Sequence, residues 1–171
     1  FEGSGAVADG GHLERRGFRL LVIANAHLDP THLASLHAAV DAAAAEAPAL
    51  DVVFPDVTRK PWARRLTEEF KSGACHAGRY EGSIVMASRP DLVRSEVAGR
   101  LPANPSSLVT AIRDGARTFE DAGGPRAYFG APAEATAAEG ERTVLELGAI
   151  LADAVDARLR DAPQPPSPAD S

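Results

Sequence analysis

Two short apolar runs, separated by one helical pattern, organise the first third of the chain. FRLLVIAN at residues 18–25 and LDVVFP at residues 50–55 are nearly continuous apolar runs, which is typical of strands buried on both faces of a parallel sheet. Between them, apolar residues recur at helical spacing over residues 31–46. Pro30 suits the first turn of this helix, and Pro48 ends it. The pattern therefore predicts strand, helix, strand.

The rest of the chain alternates helical patterns with segments rich in turn-forming residues. Three further helices are predicted: residues 61–73, 81–88 and 134–160. Gly, Pro and Asn predict three loops: residues 3–12, 99–107 and 123–132. Residues 107–121 fit either a short helix or an irregular flap. Strands that alternate with helices in this way predict an α/β fold with a mostly parallel sheet.

Length and composition indicate one ordinary globular domain. The chain has 171 residues, of which 44% are hydrophobic and 25% charged. We expect the domain to occupy residues 1–162. The segment from residue 163 to 171 is rich in proline and is predicted to be a disordered tail.

Net charge and cysteine content indicate which classes of binding partner and which cellular compartment to expect. The net charge is −6 without a basic run, so neither nucleic acid nor an anionic membrane is expected as a partner. No apolar run approaches the ~20 residues of a membrane-spanning helix. Cys75 is the single cysteine and cannot form an internal disulfide, which favours a reducing, cytoplasmic location.

The first candidate site follows the first predicted strand. His27 and Asp29, two residues apart, lie where ligands gather at the carboxyl ends of parallel strands. Imidazole and carboxylate together suit Zn²⁺ or Mn²⁺. The alternative is structural: Asp29 caps the helix that starts at Pro30, and His27 is a loop residue.

The second candidate site is the segment ACHAGRYEGS at residues 74–83. His76 could act as a general acid or base, and Glu81 could orient it, bind substrate or stabilise the start of the next helix. Ala77 and Gly78 leave room for a substrate or for a neighbouring helix. Cys75 is a third possibility as a nucleophile, but adjacent residues do not point the same way, so Cys75 and His76 are not expected to form a catalytic pair.

Two more histidines lie in the first predicted helix. His32 and His37 are five residues apart, which is not the spacing that puts two metal ligands on one helix face. We expect both to be surface or packing residues.

Three stretches, in this order, resemble the creatininase family of metal-dependent amidohydrolases. They are RGFRLLVIANAHLDPTHLASL, CHAGRYEGSIVMASRPDLVR and YFGAPAEATAAEGERTVLEL. They resemble, respectively, the family's N-G-H-x-x-N type turn, its H-A-G-x-x-E-T-S segment and its late Gly- and Pro-containing block. The resemblance implies a three-layer α/β/α fold, a divalent metal centre with two Zn or Mn ions in a complete member, and a homo-oligomer that hydrolyses an amide of a small molecule or peptide.

The resemblance also implies a role for each candidate residue. His27 would bind one metal and Asp29 the other, at a position where the family usually has Glu. Leu28 would face the substrate. His76 would pass a proton to the leaving nitrogen, and Glu81 would lie in the same site.

The family's remaining metal ligands come from a segment that precedes F-x-G-T, which FEGSG at the start of this chain resembles. We therefore expect an N-terminally incomplete family domain. Two functions remain open: an amidohydrolase seen without its N-terminal part, or a non-catalytic binding or subunit module that has lost half of its metal site.

Overall fold

The computed structural model describes residues 5–74 and 76–161, with side chains from residue 10 onward. Cys75 and the tail at 163–171 lie outside the described residues. The chain divides into two compact units, Phe1–Thr58 with Ala149–Ser171, and Arg59–Gly148. No helix in the described part of the chain combines the length and the apolar character that crossing a bilayer requires.

The first unit contains a two-stranded parallel sheet with helices. Its elements are α1 (Gly5–Arg15), β1 (Leu20–Val22), α2 (Pro30–Glu46), β2 (Asp51–Val53) and the last part of α7 (Ala137–Asp161). β1 and β2 pair in parallel, with Leu21 opposite Val52. Mixed α/β structure with parallel strands is thus confirmed, although both strands are shorter than their apolar runs.

Helix α2 begins and ends where the sequence predicts. Pro30 occupies its first turn, and the Asp29 carboxylate accepts hydrogen bonds from the N–H groups of Thr31 and His32. These bonds satisfy two of the donors that a helix N-terminus leaves unpaired. The helix ends at Ala47, immediately before Pro48.

The prediction of a loop over residues 3–12 is wrong where the structure describes this segment, because α1 covers residues 5–15. Gly10 is buried against the side chains of Ala43 in α2 and of Ala47, which caps the end of α2; both alanines are buried. Close packing of these two helices therefore outweighs the low helix propensity of glycine.

The second unit consists of short helices joined by ordered turns. Its α-helices are α3 (Glu68–Ser72), α4 (Arg79–Ser88), α5 (Ser95–Ala98), α6 (Leu108–Arg113) and the first part of α7. Short 3₁₀ turns lie at Trp62–Arg65, Pro90–Leu92 and Pro132–Glu134. Part of the core consists of Ala74, Ala122 and Phe129, with Leu108, Ala111 and Ala116 packed against it.

Several boundaries in this unit differ from the prediction. The single helix expected over residues 61–73 is a 3₁₀ turn followed by α3, because the Thr67 hydroxyl accepts the N–H of Phe70 and starts a new helix there. Gly73 ends α3 in the left-handed conformation, as its position predicts. Helix α4 starts two residues earlier than expected, and α6 forms the first part of the segment 107–121.

Helices α4 and α7 come together at Ser83 and Gly140. Ser83 is completely buried, and its hydroxyl accepts the N–H of Thr136 at 3.0 Å. A Cβ atom added to Gly140 would lie 1.8 Å from the Ser83 carbonyl oxygen. Glycine is thus required there by the close approach of two backbones.

Replacing Gly140 by Ala tests this contact. We expect G140A to lower the free energy of unfolding by about 2–3 kcal/mol, because the added methyl group forces the two helices apart. In the same helix, Gly148 has no heavy atom within 4 Å of an added Cβ. G148A should therefore raise stability by about 0.5–1 kcal/mol through helix propensity. Urea unfolding measures both, and equal effects of the two substitutions would contradict the packing argument.

Candidate active site

His76 lies on a tight turn between α3 and α4. Its backbone forms an isolated antiparallel bridge with Phe129, whose N–H donates to the His76 carbonyl oxygen at 2.7 Å. Phe129 is completely buried. The histidine backbone is therefore tied to the core of the second unit, whereas its side chain is 40% exposed.

The next residue, Ala77, adopts an unfavourable backbone conformation. Its φ of +49° lies in the left-handed region, which costs a residue with a side chain about 1 kcal/mol or more. The Glu81 carboxylate accepts the Ala77 N–H at 2.7 Å and holds the turn. Glu81 thus reaches back over the start of α4, as an acid in the first turn of a helix is expected to do.

Gly78 is present because of packing. A Cβ atom on Gly78 would lie 2.3 Å from the Phe129 carbonyl oxygen and 2.6 Å from a Glu69 carboxylate oxygen. The space beside this glycine is thus occupied by the protein itself. Of the two possibilities left open by the sequence, a neighbouring segment rather than a substrate approaches Gly78.

Glu69 joins the three segments around this turn. One of its carboxylate oxygens accepts the N–H of Tyr80 in α4, and the other accepts the N–H of Ala131, both at 2.7 Å. Its neighbour Phe70 packs against the Tyr80 ring, with the ring centroids 5.0 Å apart. Sequence reasoning missed Glu69, since its partners are 11 and 62 residues away along the chain.

The His76 ring lies close to one carboxylate and one aromatic ring. Nδ1 of His76 is 3.9 Å from a Glu81 carboxylate oxygen, which is too long for a hydrogen bond but close enough for charge attraction. The Phe119 ring stacks on the imidazole at a centroid distance of 4.7 Å. The structure therefore places Glu81 beside the His76 ring, and Glu81 also holds the start of α4, so two of the roles that the sequence left open for it have a structural basis.

Arg79 anchors the first turn of α4 to the segment that leads into α7. Its guanidinium bonds to the carboxylates of Glu139 and Glu134, at 2.9–3.1 Å. The hydrogen bond to Glu139, and to a smaller extent the one to Glu134, raise the pKa of Arg79 above its ordinary value. The guanidinium of Arg79 thus has a structural role. Arg79 follows Gly78 directly, at the end of the turn that begins with His76.

The residues of the first candidate pair lie in the first unit, after β1. Asn25 accepts the N–H of His27 and donates to the His27 carbonyl, at 3.2 and 2.7 Å, which folds this loop into a compact turn. His27 and Asp29 are exposed, and Leu28 is partly buried. Asp29 caps α2 as described, so the structural role that the sequence allowed for it is observed.

His32 and His37 have specific partners that the sequence did not indicate. His32 Nε2 lies 3.0 Å from the Asn25 side-chain oxygen. The His32 ring also packs edge-on against the His27 ring, with the ring centroids 5.2 Å apart. His37 Nε2 lies 2.9 Å from the carboxylate of Asp56, which is buried. Both remain packing residues, as expected, but each is oriented by a hydrogen bond.

The described residues do not complete a metal centre by themselves. Among them, no group of three or more His, Cys, Asp and Glu side chains could hold a metal ion. His27 and Asp29 provide two donors, fewer than the three protein ligands of a typical catalytic zinc site. One oxygen of Asp29 already accepts two backbone N–H groups.

A cavity of about 370 Å³ in the second unit does not contain the predicted site residues. Its lining includes three arginines and three glutamates: Arg65, Arg79, Arg142, Glu68, Glu139 and Glu146. Arg65 and Glu146 form an ion pair across it, as Arg79 and Glu139 do. These ion pairs connect α7 with Arg65 and with the first residue of α4.

Together these features define a mixed α/β protein with a histidine–glutamate pair on a strained turn. A family model described as creatininase, creatinine amidohydrolase, matches residues 9–155. Because this range covers most of the chain, the protein belongs to the creatininase family, and the resemblance found in the sequence is confirmed. The family is generally metal-dependent, and membership supports an amidohydrolase type of function. Searches of curated proteins and of solved structures gave no significant match.

Glu69→Gln tests whether this carboxylate holds the turn. Both oxygens accept N–H groups, so an amide must turn its own donor toward one of them. We expect E69Q to cost about 1.5–3 kcal/mol of unfolding free energy. The neighbouring Glu68 is 88% exposed and serves as the control, since E68Q should change stability by less than about 0.5 kcal/mol. Similar urea midpoints for E69Q and the wild type would refute the proposed role of Glu69.

Proposed function

We propose that this protein is an amidohydrolase that hydrolyses a C–N amide bond in a small molecule or peptide. The observation that carries the proposal is the family match over residues 9–155, a range that contains all five predicted site residues. The His76–Glu81 pair adds support, because it joins a titratable ring to a carboxylate on a partly exposed turn.

In this proposal His76 is the catalytic acid and base. Hydrolysis adds the hydroxyl of water to the carbonyl carbon and a proton to the nitrogen, and the amine leaves once it is protonated. Glu81 lies 3.9 Å from Nδ1 of His76, so in this proposal the opposite ring nitrogen, Nε2, faces the amide. Nε2 would then donate its proton to the leaving nitrogen, and the neutral ring that remains would take up a proton from water.

His27 and Asp29 are proposed to contribute ligands to a divalent metal, Zn or Mn, with two ions per chain in a complete centre. Further metal ligands would have to come from outside the described residues. Leu28, between these two residues, is proposed to contact the substrate.

We also propose the family's three-layer α/β/α arrangement and a homo-oligomeric, cytoplasmic protein. The parallel pairing of β1 with β2 supports the first of these. The single cysteine in the sequence supports a reducing compartment.

A second candidate is a non-catalytic binding or subunit module with a creatininase-like fold. The cap that Asp29 forms on α2 favours it, because this bond alone explains an acid at that position. The two candidates differ in activity and in metal content, so the substitutions below distinguish them.

The activity should depend on His76. We expect His76→Asn to lower kcat/KM by about 10²–10⁴, the usual contribution of a general acid. His12 is exposed in α1, so H12N is the matched control and should keep wild-type activity. Amine release from a panel of small amides and short peptides, with Zn²⁺ or Mn²⁺ added, measures the effect. Equal rates for H76N and the wild type would exclude His76 as the acid, and an inactive wild type would favour the non-catalytic module.

Asp29 can be tested for two roles at once. Asp29→Asn keeps an oxygen that accepts the capping N–H groups, so unfolding free energy should change by a few tenths of a kcal/mol, whereas D29A should cost about 1 kcal/mol. If the carboxylate is a metal ligand, both variants bind less Zn²⁺ or Mn²⁺ in calorimetric titrations. Full metal binding by D29N would leave Asp29 with a structural role alone.

A further inference from the structure

The orientation of the His76 ring is decided by few contacts. In the part of the chain that the structure describes, the imidazole makes no hydrogen bond, and Glu81 lies 3.9 Å from Nδ1. The backbone bond to Phe129 fixes the main chain of His76 but leaves its side chain free to rotate. An exposed imidazole with these contacts alone would not keep one ring orientation.

Phe119 supplies the missing contact. Its ring lies nearly parallel to the imidazole, with the ring centroids 4.7 Å apart and an angle of 29° between the planes. Phe119 also packs against the completely buried Phe129, with the ring centroids 5.9 Å apart and an angle of 57° between the planes. Ring contacts thus connect the partly exposed imidazole of His76, through Phe119, to a residue of the core.

The backbone of Phe119 is itself well held. Its carbonyl oxygen accepts the N–H of Gly124 at 2.7 Å. The preceding residue, Thr118, accepts the N–H groups of Asp121 and Ala122 through its hydroxyl and its carbonyl, at 3.1 Å each. Phe119 nevertheless remains 37% exposed, although it is a large apolar residue.

We propose that Phe119 is a positioning residue for His76. Its stacked ring keeps the imidazole turned so that Nδ1 faces Glu81, which leaves the opposite nitrogen available to an amide. Phe119 acts through His76 and is not itself a catalytic residue. The catalytic part of this inference rests on the proposed function, whereas the ring geometry does not.

Histidine-ring NMR of the full chain tests the geometry without any substrate. In protein labelled at histidine, the His76 ring signals, assigned with H76N, should lie upfield because of the Phe119 ring. Phe119→Leu should move them downfield by more than any other histidine signal, and Phe119→Trp should keep or increase the upfield shift. Phe18 is an exposed phenylalanine in the first unit, so F18L is the control and should leave the His76 signals unchanged. Unchanged His76 signals in F119L would overturn the stacking.

Kinetics test the positioning role. We expect F119L to lower kcat by roughly 10–100-fold with little change in KM, because the acid loses its orientation. The conservative variant F119Y should restore most of kcat, and F18L should match the wild type. Circular dichroism checks that F119L is folded. If F119L does not fold, the His76 ring signals of F119W still test the stacking, because the larger ring should keep or increase their upfield shift. A shifted His76 signal together with an unchanged kcat would overturn the positioning role. An inactive wild type would refute the proposed function, and the NMR result would still decide the geometry.

Discussion

The two hydrogen bonds accepted by Glu69 are the constraint on which the second unit depends. They join α3 to the start of α4 and to the segment after Phe129, so three pieces of chain meet around one carboxylate. Gly78 lies against the same carboxylate, where no side chain would fit. The position of His76 follows from this contact, because the histidine begins the turn that Glu69 and Phe129 close.

Around that turn, the structure combines rigidity of the backbone with exposure of the side chain. Ala77 is held in a strained conformation by the Glu81 carboxylate, which also lies beside the imidazole. Strain of this kind persists where the surrounding structure enforces it, and it often accompanies function. The general acid role that we propose for His76 relies on such a fixed backbone and accessible side chain.

Much of this arrangement could be predicted from the sequence, and the limits have physical reasons. The helix at 30–46 was predicted well, since Asp29, Pro30 and Pro48 mark its ends locally. Helix α1 was missed because its stability comes from packing against buried alanines, which glycine-rich sequence does not reveal. His76 and Glu81 could be named as candidates from their side-chain chemistry and from the family resemblance of their segment, whereas Glu69 and Phe119 act on residues that only folding brings near. Whether His27 and Asp29 share a site with His76 stays a prediction.

The central claim, that His76 protonates the leaving nitrogen, is tested most directly by varying that nitrogen. In a series of amides with one acyl group and amines of increasing pKa, the wild-type rate should depend weakly on the amine, because the enzyme supplies the proton. The rate of His76→Ala should fall steeply as the amine becomes more basic and should approach the wild-type rate for the best leaving groups. Parallel dependences for the wild type and H76A would contradict the account.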